Sequence, residues 1–141
     1  MDLPGIYRLA RQENIPVLLY PMERCQSMSI ETETGCYIGM DPGVCDGGAK
    51  ELTHLSHELG HCVTGSFYNA WSAHDLRRRH EDRANKWAVR TVIPERALDE
   101  AVALGNTSLW ELAEYFGVTE EFMRKAVCLH VHGNLATELY F

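Results

Sequence analysis

Apolar residues along this chain recur first at helical spacing, then in alternation, then at helical spacing to the end. Ile6, Leu9 and Ala10 predict a short opening helix over residues 4–13 that stops before Asn14-Ile15-Pro16. Residues 15–20 read as a strand. Residues 28–40 read as two short strands around Glu33-Thr34-Gly35, the second closed by Asp41-Pro42-Gly43. After a glycine-rich loop at 44–48, Leu52, Leu55, Leu59 and Val63 repeat every three or four residues across 49–64, and Gly65 ends the run. A second long helix is predicted over 75–92, blocked by Pro94, and a third over 95–104, ended by Gly105. Residues 107–116 and 119–129 form a closing pair around Gly117-Val118. Their Leu109, Leu112, Ala113, Phe116, Val118, Phe122 and Ala126 resemble a helix-turn-helix core, with Thr119 as N-cap. The pattern predicts an α+β fold, in which a small antiparallel or mixed N-terminal sheet packs on the 49–64 helix and a helical C-terminal half follows. With no repeat or linker, residues 1–141 are read as one domain, its sheet and central helix within 1–74 and the remaining helices within 75–141.

Composition narrows the partners. The 141 residues are 45% apolar and 23% charged, as in an ordinary globular chain. Thirteen Lys and Arg against 20 Asp and Glu leave a net charge of −7, which argues against nucleic acid as the main partner. No apolar run approaches the roughly 20 residues of a membrane span, and the first residues lack a basic stretch followed by an apolar one. No membrane association is expected, and the cytoplasm is the expected location. The five cysteines, Cys25, Cys36, Cys45, Cys62 and Cys128, are odd in number and form no CxxC, so mostly free thiols are expected.

The chemistry is concentrated in His57-Glu58-Leu59-Gly60-His61, an HExxH sequence within the first strong helix. Residues four apart differ by about 40° around a helix and sit one turn apart, so both imidazoles project to one side and can share one Zn²⁺ ion. Glu58 lies about 60° from His61 on the same wheel, near enough to act as general base on a metal-activated water without being a ligand. Leu52, Leu55, Leu59 and Val63 lie on the opposite face, where the core is expected, so the histidine face looks into a cleft. By composition alone, an HExxH would arise by chance in about 3% of such chains, which weighs against two incidental surface histidines.

A catalytic zinc needs a third protein ligand. Thr64 and Phe67 stand where an HExxHxxGxxH sequence would continue, so the third ligand is sought on another helix. Glu81 shares a helix face with Ala84, Asn85, Ala88 and Val92, small or medium residues that permit close approach to the histidine helix. Its bland alternative is a surface contact with Arg77, Arg78 or Asn85. Asp82, His74 and His80 are the other ligand candidates. Asn85 is a candidate to orient a ligand and His54 a candidate to line the cleft. Tyr37, Tyr68, His74 and His80 are candidates to donate to an oxyanion. Cys62 lies about 100° beyond His61 and is expected to be a buried thiol turned away from the metal.

The run Leu52-Thr53-His54-Leu55-Ser56-His57-Glu58-Leu59-Gly60-His61, with Glu81-Asp82-Arg83-Ala84-Asn85-Lys86-Trp87-Ala88 and then Ile93-Pro94, resembles the ImmA/IrrE family of zinc metallopeptidases. The resemblance covers most of the chain. Ile93 stands where the family usually has Met, and Thr91-Val92 where a Leu pair is more typical. The resemblance implies His57, His61 and Glu81 as zinc ligands and Glu58 as general base. It also implies hydrolysis of a peptide bond in a phage-type or stress-response repressor.

Two further readings stand beside that one. The chain could act by binding alone, as a metal-containing regulatory protein working through its helical C-terminal part, or it could hydrolyse a substrate other than a peptide. Charge bears on the first. Residues 1–74 carry −5, 75–96 carry +3 and 97–141 carry −5, so the helix-turn-helix-like end is the least suited to phosphate. The basic stretch Arg77, Arg78, Arg79, Arg83, Lys86 and Arg90 reads as a solvated face.

Overall fold

The computed structural model describes residues 1–69 and 71–141. Helix α1 (Leu3–Gln12) starts where the Asp2 carboxylate accepts from the Gly5 N–H and buries Ile6 and Ala10. Three strands follow: β1 (Val17–Leu19), β2 (Ser27–Thr32) and β3 (Gly35–Met40). They form a mixed sheet of order β1-β3-β2, with β1 parallel and β2 antiparallel to the central β3. β1 is shorter than the apolar run 15–20, although Pro16 C=O and Tyr20 N–H still bond β3 beyond its ends. The β2–β3 turn falls at Glu33-Thr34, as the glycine after it predicts.

Among the described residues five α-helices follow: α2 (Ala49–Thr64), α3 (His74–Val92), α4 (Glu95–Ala103), α5 (Leu109–Phe116) and α6 (Glu120–His132). α2 has the bounds its apolar repeat predicts. α5 begins two residues later than expected because Ser108 accepts from the Glu111 N–H and so fixes the first turn. α6 is capped by Thr119, as expected, but runs three residues further, to a left-handed Gly133. Among the described residues no helix is long and apolar enough to cross a membrane.

α2 is the centre of the packing, touching α1, β2, β3 and, most extensively, α3, while α6 closes on α3 and α5 on α6. Leu52, Leu55 and Leu59 are buried with Ile38 and Met40 of β3. Val63, expected on that stripe, is 39% exposed. At the α2–α3 contact, a Cβ on Gly60 would lie 2.5 Å from the Ala84 carbonyl oxygen, so only glycine permits this approach. Ala84 and Ala88 are fully buried there.

Most of the cysteines are free thiols, as expected, but Cys62 is not the free thiol expected. Cys36 and Cys62 form a disulfide tying β3 to α2, and Cys25, Cys45 and Cys128 are free. Cys36 shares the inward face of β3 with Ile38 and Met40, and the 100° step beyond His61 turns Cys62 toward that sheet. The wheel direction was sound, but the residue awaiting Cys62 is a second cysteine 26 positions earlier. No local spacing signals such a pair.

Candidate metal centre

The end of α2 organises half of the centre. Gly65 takes a left-handed conformation, φ +65°, and the Ser66 N–H then bonds the His61 carbonyl, a closed helix terminus. The carbonyl of Ser66 in turn accepts from His61 Nδ1 at 2.5 Å. A carbonyl has no proton to give, so His61 keeps a hydrogen on Nδ1, and in its neutral form it presents the Nε2 lone pair outward. Asn85 Oδ1, on α3, does the same for His57 Nδ1 at 2.8 Å.

Those two Nε2 atoms lie 3.2 Å apart, and the Glu81 carboxylate approaches both, Oε2 at 3.0 Å from His57 and Oε1 at 3.1 Å from His61. Ligands about 2.0–2.1 Å from a tetrahedral zinc would stand about 3.3 Å apart. Two imidazole nitrogens with their protons pinned elsewhere and one carboxylate thus converge at nearly that spacing, a donor set that suits a divalent cation. Glu81 reaches this point because Gly60 and Ala84 let the helices touch one turn further along.

The groups of the cluster are electrostatically coupled. Burial opposes the charge on Glu81, yet hydrogen bonds from His57, His61 and Tyr68 hold its carboxyl well below the usual range. For His61, burial works downward, but the bonds to Glu81 and to the Ser66 carbonyl prevail and the imidazole is raised. Burial, with donation of its hydroxyl to Glu81 Oε1 at 2.7 Å, pushes Tyr68 up to about 12.

Glu58 is buried and adjoins the cluster without joining it. Its Oε2 accepts from the Ser27 hydroxyl at 2.7 Å. A cavity of about 340 Å³ opens over the group, lined by His57, Glu58, His61, Tyr68 and Glu81 on the helix side and by Ser27, Met28 and Ser29 on the sheet side. A second cavity, of about 360 Å³, opens on the other side of His57 and Glu81, between His54, Asn85 and Lys125.

Of the residues singled out from sequence, His57, Glu58, His61, Glu81, Asn85, His54 and Tyr68 are brought together. Three candidate donors are not. Tyr37 pairs in register with Ile30, on the outer sheet face, and its hydroxyl meets Thr34. His74 opens α3 two turns, about 10 Å, before Glu81. His80 is turned about 100° from Glu81, and its buried Nδ1 has no hydrogen-bond partner among the described residues. Neither cavity over the cluster includes any of the three. Asp82 lies apart, beside Arg78 and Glu138.

Ser27 and the Ser66 carbonyl are missed by sequence reasoning. A signal for Ser27 existed: β2 places Ser27, Ser29 and Glu31 inward and leaves Met28 and Ile30 39% and 48% exposed, the reverse of a strand covering a core. Polar residues on the inward face mark a strand that lines a cavity.

The family model described as Peptidase_M78, IrrE N-terminal-like domain, matches residues 49–127, from the first residue of α2 into α6. No curated protein matches the chain.

Proposed function

Because the chain belongs to the Peptidase_M78 family, IrrE N-terminal-like, we propose that it is a zinc-dependent endopeptidase acting on a transcriptional repressor. The observation that carries the chemistry is the convergence of His57 Nε2, His61 Nε2 and Glu81 beside a buried, uncoordinating Glu58. A zinc ion held by those three would polarise a peptide carbonyl and make a water acidic enough to lose its proton near neutral pH. Glu58 takes that proton as the water attacks and delivers it to the leaving amine nitrogen, so one carboxylate serves as base and then as acid. Tyr68, which keeps its proton well above neutral pH and lines the same cavity, would donate to the carbonyl oxygen as charge develops there once its hydroxyl leaves Glu81 Oε1.

Among the described residues β2 is paired on one side only, and its Ser27–Ser29 stretch walls the cavity. An extended substrate segment adds to that edge as a further strand and continues past His57 into the second cavity. A repressor is the substrate class implied by the resemblance of the α2 and α3 sequences to the ImmA/IrrE peptidases.

The test is to incubate the zinc-loaded protein, and a Glu58→Gln variant of equal zinc content, with a repressor encoded beside it. Two defined fragments with wild type and none with the variant are expected. Inactivation of the repressor without fragments, or by both proteins equally, defeats the proposal.

A further inference from the structure

Ser27, the first residue of β2, connects two α2 side chains that sequence spacing does not pair with it. Its Oγ lies 2.7 Å from Glu58 Oε2 and 3.1 Å from His54 Nδ1. A hydroxyl has one proton, and an ionised carboxylate only accepts. The proton of Ser27 is therefore committed to Glu58, and the other contact runs in reverse, with His54 Nδ1–H donating to Ser27 Oγ. His54 and Glu58 stand one turn apart on the same face of α2, so a single strand residue spans both.

This directed chain ends on one oxygen of the carboxylate. No described residue hydrogen-bonds Glu58 Oε1, while Oε2 is held from the sheet. A glutamate on a helix has three side-chain torsions to settle, and without an outside partner its carboxylate samples several rotamers. A general base must hold one oxygen within hydrogen-bond reach of the proton it takes. The sheet gains nothing from the Ser27 hydroxyl, since β2 joins β3 through its backbone.

We infer that Ser27 is a positioning residue for the hydrolysis proposed above, fixing Glu58 through Oε2 so that Oε1 is free for the water, with His54 keeping the Ser27 hydroxyl aimed. The inference rests on the peptidase reading. It also makes α2 dependent on the sheet for its catalytic geometry, although every group the motif itself names lies on α2.

The experiment measures kcat and KM on a pool of synthetic peptides, with zinc content and thermal midpoint, for wild type, Ser27→Ala, Ser27→Thr, His54→Leu and Glu58→Gln. Wild type no faster than Glu58→Gln removes the peptidase reading itself, and the inference with it. Given wild-type cleavage, Ser27→Ala is expected to lose about 10- to 100-fold in kcat, the usual size for a supporting partner, with KM and zinc content unchanged. Ser27→Thr restores the hydroxyl and is expected to regain most of that loss. His54→Leu is expected to lower kcat in the same way, by about threefold, as for a partner one hydrogen bond removed. An unchanged kcat in Ser27→Ala overturns the inference. So does a loss that follows zinc content or thermal midpoint, or one that threonine does not recover, since a purely structural serine would behave so. Should Ser27→Ala fail to fold, His54→Leu carries the decision, and an unchanged kcat there overturns the inference.

Discussion

α2 and the α5–α6 pair are built by the same rules and used in opposite ways. Each has an apolar stripe at helical spacing and a left-handed glycine at its end, Gly65, Gly117 and Gly133. The α5–α6 pair buries only apolar side chains, Leu112, Ala113, Phe122, Met123, Ala126, Cys128 and Leu129. α2 and the two residues after it hold every buried polar or charged side chain among the described residues: Glu51, Ser56, Glu58, His61 and Ser66. Burying such groups costs free energy unless each finds a partner, so their collection on one helix marks where stability yields to chemistry. The closing pair, acidic and conventionally packed, supports α3 from behind through α6.

The comparison breaks most sharply at Glu58. Glu58→Gln keeps shape and burial but removes the proposed base, and cleavage is expected to fall by about 10² to 10⁴ with zinc content unchanged. An equal loss of zinc would place Glu58 among the ligands instead.

The disulfide comes next in size. A bridge spanning 26 positions contributes about 3 kcal/mol by constraining the unfolded chain. Cys36→Ser with Cys62→Ser should lower stability by about that amount in denaturant titration while zinc still binds, because neither sulfur belongs to the metal cluster. Unchanged stability, or lost zinc affinity, would show that the bridge has a different role.

Gly60→Ala tests the close approach of the helices. The added Cβ meets a backbone carbonyl that cannot rotate away, and overpacking of this kind costs about 1–3 kcal/mol. Glu81 should shift from the histidines, so zinc affinity is expected to fall along with stability. A stability loss without an affinity loss would separate packing from ligand placement.

Acidity offers a gentler probe. Zinc bound at His61 would compete with protons there, and the pKa of this histidine is raised above its ordinary 6.5, burial being outweighed by Glu81 and the Ser66 carbonyl. Above that raised pKa the imidazole is neutral and zinc binds freely. As pH falls through it, each binding event must displace a proton. Apparent zinc affinity should therefore begin to weaken above pH 6.5 in wild type, and at lower pH in Glu81→Gln, where the histidine loses its anionic partner. Coincident profiles would show that Glu81 does not set the competition.

The smallest effect belongs to the closing pair. Glu114→Gln on the exposed side of α5 should change stability by less than about 0.5 kcal/mol and leave cleavage untouched.

Much of this was legible in the sequence, for identifiable reasons. α2 carries a three-four repeat, a glycine stop and HExxH within 17 residues, so its bounds and the projection of His57 and His61 follow from helix geometry alone. Glu81 could be picked from its neighbours because Ala84 and Ala88 are too small to hold the helices apart. What escaped depends on register between distant segments. Cys36 meets Cys62, and Ser27 meets Glu58, only because the β2–β3 hairpin lies across α2 in one particular alignment. Nothing local in either segment states that alignment, and a shift of one residue would turn both to the other face. Tyr37 illustrates the point: its parity on β3 put it on the outer surface, out of reach of the centre.

The most direct test of the whole account is mass spectrometry of a defined peptide pool after exposure to wild type and to Glu58→Gln at matched zinc occupancy. One zinc per chain in both proteins and new peptide termini with wild type alone are expected. New termini in equal yield from both, or none from a fully zinc-loaded wild type, would contradict it.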